Sequence, residues 1–359
     1  MSGSIGSIGY GILPSLIANA GTVHAQLNTL TEQISTGLIA QTYAGLGAGA
    51  SLSLSLGPQV STLQTYANNI NQVTGQMQVA QTALGQIQQI AQTFVGDMPN
   101  LNGLNPSEVD SIASNARSAL QQVTNLLDTQ DAGVYVFGGQ DSANPPVPNP
   151  DQILSSGFFT QINSAVSALS TNGATATAAA TQAIARSNAA GTSPFSAYMS
   201  QSATALAAPV VQAGPNSFVS VGLFASANTA AVSGGSSTTG SYIRDLMRSL
   251  ATLGSLTSSQ VNDPNFAPLV QDTASSLNNA VSAMATDAGV LGDRQAQLTG
   301  QQTQLGAMTT ALSGQVSTAQ NVDMATAISQ LTSVQVQLQE SYRLIVNSAT
   351  LSLVNYVPA

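Results

Sequence analysis

Apolar residues recur at steps of three and four near both ends of this 359-residue chain, and this periodicity constrains the fold more than any other feature. Such spacing places side chains along one stripe of an α-helix, as in the seam of a coiled coil. The N-terminal seam consists of Leu16, Ala20, Val23, Leu27, Leu30 and Ile34. The C-terminal seam consists of Ile328, Leu331, Val334, Leu338, Tyr342 and Ile345, followed by the apolar Leu351 and Leu353. We therefore predict a mainly α fold, a long coiled-coil-like bundle formed by the N- and C-terminal segments.

Further seams lie between these two. One predicts a helix from about 59 to 95, which would be roughly 55 Å long at about 1.5 Å per residue. Asn105 and Pro106 can cap and start the next helix, with its seam between 109 and 127. A third seam, from 270 to 319, predicts a return helix. Helices this long need partners for their apolar stripes, so we expect the two ends of the chain to pair.

The middle of the chain has a different pattern, dominated by Ala, Ser, Thr and Gly. Residues 133–139 alternate and read as a short strand, as do residues 217–224, while 158–170 and 174–189 are plausible short helices. We divide the chain into an N-terminal assembly helix (1–45) pairing with a C-terminal one (315–359), a helical hairpin (46–140) pairing with a return helix (260–314), and an outward-facing insert (141–259). The insert is expected to be a small mixed α/β or β-rich domain.

Composition excludes several classes of function. The chain has six arginines, no lysine and a net charge of −9. It therefore has no basic patch for a nucleic acid or an anionic membrane surface. It has no cysteine, which removes disulfides, thiolate zinc sites and cysteine nucleophiles. No stretch reaches the roughly 18 apolar residues of a membrane span, and the N-terminus lacks the pattern of a cleaved signal peptide.

No residue pattern points to catalysis, a cofactor or a metal. His24 is the only histidine, and no nucleophile elbow accompanies it, so we interpret it as an ordinary helix residue. Two aspartate pairs lack any calcium-loop pattern and are expected to be solvated at helix ends: Asp128 with Asp131, and Asp287 with Asp293. The glycine-rich run 45–49 lacks the Lys-Ser/Thr ending of a phosphate-binding loop, so we interpret it as a hinge or loop.

Three segments resemble the bacterial flagellin and hook-associated protein family. The segment 321–342, from Asn-Val-Asp-Met-Ala to Gln-Glu-Ser-Tyr, resembles the family's C-terminal signature together with 351–357. The segment 27–37, Leu-Asn-Thr-Leu-Thr-Glu-Gln-Ile-Ser-Thr-Gly, resembles its N-terminal signature. The segment 134–139, Val-Tyr-Val-Phe-Gly-Gly, is similar to the hook-filament junction proteins of that family. Residues 88–92, where flagellins carry arginine, contain none, which also favours the junction type.

The resemblance implies a non-enzymatic structural subunit of the flagellum, exported by the flagellar type III apparatus without a cleaved signal. Its terminal helices would be disordered in the monomer and would order in a coiled-coil tube. The implied partners are other copies of the chain, flagellin, a neighbouring hook-associated protein and an export chaperone. Filament flagellin itself remains an alternative. A more distant one is a secreted adhesin or enzyme with helical flanks, which predicts ligand binding or activity in residues 145–255 and ordered ends in the monomer.

Overall fold

A computed structural model describes residues 9–101 and 105–350, with side chains for 14–101 and 105–348. The chain forms two compact units. The end unit combines the N-terminal part of the chain, up to residue 64, with the C-terminal part from residue 306. The middle unit comprises residues 65–305.

The described residues are mainly helical, which confirms the predicted fold class. The α-helices are α1 Gly9–Thr36, α2 Gly49–Leu101, α3 Pro106–Leu127, α4 Gly157–Ser167, α5 Leu169–Asn172, α6 Ala174–Arg186, α7 Tyr242–Gly254, α8 Phe266–Gln320 and α9 Met324–Thr350. Two antiparallel hairpins supply the strands, β1 Gln130–Asp131 with β2 Val134–Tyr135, and β3 Val210–Gly214 with β4 Ser217–Ser220. Single 3-10 turns cover Tyr43–Leu46, Pro150–Ser155 and Ser258–Gln260.

In the end unit, α1 packs against α9. An isolated antiparallel bridge joins Leu38, just after α1, to Asn321, just before α9. The Ile39 N–H donates to the Gln320 carbonyl at 2.7 Å, and the Val322 N–H donates to the Gly37 carbonyl at 3.0 Å. Because α9 begins next to the end of α1, the two helices run antiparallel. The expected pairing of the two ends of the chain is therefore present within one molecule.

Helix α2 begins ten residues earlier than the seam suggested, at Gly49 rather than near 59, and continues through Pro58. A proline inside a helix removes one backbone hydrogen bond. Burial on both sides of it, at Ser53 and Leu63, keeps the segment helical against its neighbours. Gly49 also permits close packing, since a Cβ there would lie 2.8 Å from the Ala319 carbonyl oxygen. The glycine-rich run is thus a short loop that leads directly into α2.

The core of the middle unit is centred on α7, in which every residue is buried. Ser241 caps this helix by accepting a hydrogen bond from the Arg244 N–H. Helices α3, α4 and α6 pack around it. A helix that is buried on all sides must also satisfy its own charges, and α7 carries Arg244, Asp245 and Arg248.

The two short helical regions are confirmed, as α4 with α5 and as α6, but the two strands are shorter than predicted. The alternation at 133–139 yields only β2, because the chain turns directly after it and the Gly138 N–H donates to the Tyr135 carbonyl at 3.1 Å. The alternation at 217–224 yields only β4, because Gly222 has a φ of +103°. In both places the chain leaves the strand before the apolar pattern ends.

Candidate assembly surface

The α1–α9 pair brings most of the predicted seam residues together along one line. Ala20 and Leu30 of α1 are buried, and the other N-terminal seam residues are half-buried: Leu16, Val23, Leu27 and Ile34. On α9, Val334 is buried, and Leu331, Leu338 and Ile345 are half-buried. The two seams thus cover each other within one chain, with only part of each side chain removed from water.

Two predicted seam residues lie elsewhere. Ile328 is 50% exposed and Tyr342 is 51% exposed. Their neighbours Ala327 and Ser341 occupy the line instead, since 327, 331, 334, 338, 341 and 345 also step by four and three. Small side chains at these points let the two helices approach, and the larger ones turn outward. Leu351 and Leu353 lie outside the described residues.

The outer faces of the pair carry a second set of apolar side chains, of which the predicted seam included only Ile328 and Tyr342. They are Ile17 on α1 and Met324, Ile328, Val336, Tyr342, Leu344 and Val346 on α9, each at least 41% exposed. Single exposed apolar residues are normal on protein surfaces, but a concentration on one element marks an interaction surface. The sequence does contain a sign of this surface, because apolar residues also lie between the seam positions. A search for one apolar stripe per helix counts only the residues on that stripe and misses the others.

Charge is scarce on this helix pair. Its charged side chains in the described residues are Glu32 on α1, Glu340 and Arg343 on α9, and Asp323 just before α9. Arg343 donates to Glu340 across 3.0 Å, as expected for residues three apart, and both are exposed. Asp323 accepts from the Thr326 and Ala325 N–H groups at the start of α9, and these bonds lower its pKa. Covering these faces with another apolar surface would therefore leave few charges without water.

The prediction of solvated aspartates is wrong for Asp287. Its carboxylate is 1% exposed and accepts the N–H groups of Thr229, Ala230 and Ala231 at 2.8, 2.8 and 2.6 Å. A carboxylate gathers consecutive backbone donors in this way when a loop folds over a helix. Asp287 thus fastens residues 229–231 of the insert to α8, a role that a lone aspartate in a helical pattern does not reveal.

Asp128, at the C-terminal end of α3, is also half-buried rather than freely solvated. It accepts the Val147 N–H at 2.9 Å. Burial raises its pKa to about 6, and the hydrogen bond from Val147 opposes that rise. Asp293 is exposed, as predicted.

The remaining candidate groups show no site geometry. His24 is exposed on α1 and lies 3.3 Å from the Asn28 amide of the next turn. Across the ranges that the structure describes, no three His, Cys, Asp or Glu residues form a group that could hold a metal ion. In those same ranges, no helix is long and apolar enough to cross a membrane.

Two family models match the chain, and both describe helical regions of bacterial flagellin. The model of the flagellin N-terminal helical region matches residues 14–142, and the model of the C-terminal helical region matches residues 274–357. No curated protein matches the chain. The N-terminal match covers most of α1 and all of α2 and α3, and the C-terminal match covers most of α8 and all of α9. The greater part of the insert lies between the two matches. The chain therefore belongs to the bacterial flagellin family, whose members are structural, non-enzymatic subunits that self-assemble into the flagellum, an extracellular appendage.

Proposed function

We propose that this chain is the subunit that joins the flagellar hook to the filament, and that the outer faces of α1 and α9 hold it to its neighbours. The observation that carries the assembly role is the set of seven exposed apolar side chains on the α1–α9 pair. In a lone molecule these side chains face water, and a second helix pair would cover them. The residues proposed for this role include the predicted Ile328 and Tyr342, while the seam residues hold the pair together.

The magnitudes favour a many-membered assembly over a simple dimer. Complete burial of one such side chain contributes about 1.5–3 kcal/mol, and these are already about half covered. Seven of them would contribute roughly 5–10 kcal/mol if all were fully buried. Association costs an estimated 4–15 kcal/mol in lost freedom of motion. The free energy gained at one such contact is therefore about equal to the free energy that association costs. Stable assembly then requires each subunit to contact several others.

Two sequence features support the junction role over the filament role. The first is the segment 134–139, which resembles junction proteins. In the structure, Val136 and Phe137 are buried, and the Phe137 carbonyl accepts the Ala225 N–H at 3.1 Å. This segment thus connects the strand β2 to the insert. The second is the absence of arginine from residues 88–92.

The proposed partners follow from a position between hook and filament. Other copies of the chain would form a ring, flagellin would contact one side and a hook-associated protein the other, and an export chaperone would hold the chain before secretion without a cleaved signal. Residues 1–45 and 315–359 would supply the assembly helices, and residues 46–140 and 260–314 the supporting bundle. Residues 141–259 would project outward.

Deletion of residues 321–359 tests the assembly role. We expect a soluble, secreted product that neither assembles nor supports motility. Deletion of residues 203–205 of the insert, which are exposed, is the control and should leave assembly intact. Unchanged motility after the terminal deletion would refute the proposal.

Quantification of the chain in purified flagella separates the two flagellar roles. A junction subunit should number a few tens per flagellum and lie between hook and filament in immunogold images. Thousands of copies along the filament would instead identify the chain as flagellin. That alternative uses the same α1 and α9 faces.

A further inference from the structure

One phenylalanine is exposed to solvent, whereas the others are buried. Seven of the eight phenylalanines are buried, namely Phe94, Phe137, Phe158, Phe159, Phe195, Phe224 and Phe266. Phe218, on β4, is 64% exposed. It pairs across the hairpin with Gln212, and Val210, two residues along on the same face, is 57% exposed. The β3–β4 hairpin therefore presents a small apolar face to water.

The backbone edges of this hairpin are already engaged. The Asn69 amide donates to the Gln212 carbonyl at 3.4 Å, on the β3 side. Arg294 donates to the Ser220 carbonyl at 3.3 Å, on the β4 side. Side chains of α2 and α8 thus reach both strands, and a further strand would have to displace them to pair along either edge. A partner would meet this hairpin through its side chains, above all through Phe218.

An apolar cavity of about 240 Å³ lies at the base of the same hairpin. Val73 and Met77 of α2, Val136 after β2, and Pro209 and Val221 at the ends of the hairpin form much of its wall. Apolar cavities of about 150 Å³ accept a benzene molecule, so this one has room for a phenyl ring. It is open to solvent on one side, where Gln72 and Gln76 of α2 form part of the rim.

We infer that Phe218 of one copy inserts into this cavity of a second copy. Phe218 does not occupy the cavity of its own chain, since most of its surface is exposed. Its cross-strand partner Gln212 is three residues from Pro209, roughly 10 Å at about 3.3 Å per residue. A side chain and a pocket this close together permit a reciprocal pair as well as a head-to-tail contact. Because the proposed assembly is a ring or a helical array, we expect the head-to-tail form, which repeats from copy to copy.

This contact rests on the proposed assembly of copies but is separate from the α1–α9 faces. All its residues belong to the middle unit. It would set the register between neighbours, while the terminal helices supply most of the buried area.

The absence of cysteine from the chain permits a direct proximity test. Full-length Asn216→Cys and Gln76→Cys chains are mixed, and both the soluble fraction at high concentration and the sedimented polymer are oxidised mildly. Asn216 is exposed at the tip of the hairpin, two residues before Phe218, so this variant keeps the phenyl ring. We expect a disulfide-linked dimer of the two variants, and a ladder of longer products from a chain that carries both substitutions. Val232→Cys replaces Asn216→Cys in the control, because Val232 is 92% exposed and lies outside the hairpin.

The outcomes separate this inference from the assembly proposal. Polymer without the mixed dimer, or with Asn216→Cys chains linked only to each other, overturns the cavity contact and leaves the terminal-helix proposal standing. The mixed dimer without any polymer supports the cavity contact and counts against the terminal helices. If neither forms, both ideas fail.

A second measurement tests the energetic role of the ring. Phe218→Ser should raise the protein concentration needed for assembly about tenfold, as expected for loss of a central aromatic contact. Gln76→Phe, which fills the cavity from its rim, should do the same. Val232→Ser should change it less than twofold. Equal values for Phe218→Ser and Val232→Ser would overturn the inference.

Discussion

The end unit and the middle unit differ in how far they bury their apolar side chains. Of the fourteen large apolar side chains that are exposed in the described residues, eleven belong to the end unit and three to the middle unit. The middle unit buries even charged side chains, namely Arg244, Asp245, Arg248 and Asp287, whereas the described part of the end unit buries none. The middle unit thus has a self-sufficient core, and the end unit has a core that is complete only when other molecules contribute to it.

The largest expected effect is on the stability of the middle unit, and it comes from removal of the buried Asp287 carboxylate. Asp287→Ala would leave three backbone N–H groups without their acceptor. Each such loss costs about 1–3 kcal/mol, so we expect the middle unit to lose at least about 3 kcal/mol of unfolding free energy. Urea unfolding followed by circular dichroism measures this change. Asp293→Ala, at an exposed site on the same helix, should shift the value by less than about 0.5 kcal/mol.

The next effect concerns assembly and not folding. Replacement of both Ile328 and Tyr342 by Ser should raise the concentration needed for assembly at least about tenfold, since two interface side chains of about 1 kcal/mol each are lost. The helix content of the monomer should stay the same because both residues are already half in water. Gln335→Ser, on the exposed surface of the same helix, is the matched control. A loss of helix content as large as the loss of assembly would place these residues in the fold rather than in the interface.

A pH-dependent effect of intermediate size is expected in the middle unit at Asp128. Its folded pKa, about 6, lies above the ordinary aspartate value of 3.8, so the folded state binds the proton more tightly than the unfolded state. Stability should therefore fall as the pH rises from about 4 through about 6, where the buried carboxyl becomes charged. Asp128→Asn keeps an acceptor for the Val147 N–H and removes the charge.

We expect Asp128→Asn to be more stable than the parent by on the order of 1 kcal/mol at pH 8, after allowance for partial exposure. At about pH 2.5 the two should be nearly equal, since the parent carboxyl is then protonated in both states. Urea midpoints at the two pH values measure the difference. An equal advantage at both values would show that charge is not the cause.

The smallest effect belongs to the ion pair on α9. Glu340→Gln removes the partner of Arg343, and both side chains are well exposed. Such pairs contribute only about 0.2–0.5 kcal/mol to a helix. Assembly measured by sedimentation should thus change little, and its salt dependence should be weak for parent and variant alike. A strong salt dependence would mean that charge, and not apolar burial, holds the end units together.

Part of the end unit could be predicted from the sequence. The three-and-four spacing predicted the helices and the pairing of the two ends, because helical periodicity is a local property that a long seam repeats many times. The predicted apolar stripe of α9 is one residue off at two points, because Ala327 and Ser341 lie on the line where Ile328 and Tyr342 are predicted. Ala327 and Ile328 both satisfy the spacing near one end, and the preference for Ala327 depends on how closely α1 approaches.

Sequence by itself determined that this chain is mainly helical, that its ends pair, and that it lacks the groups for thiol or basic-patch chemistry, since these follow from periodicity and composition. Three features depended on contacts between distant parts of the chain: the continuation of α2 through Pro58, the burial of Asp287 under residues 229–231, and the exposure of Phe218 beside an apolar cavity. Burial and hydrogen bonding with partners far away in sequence decide such features, and no local pattern records which partners will meet.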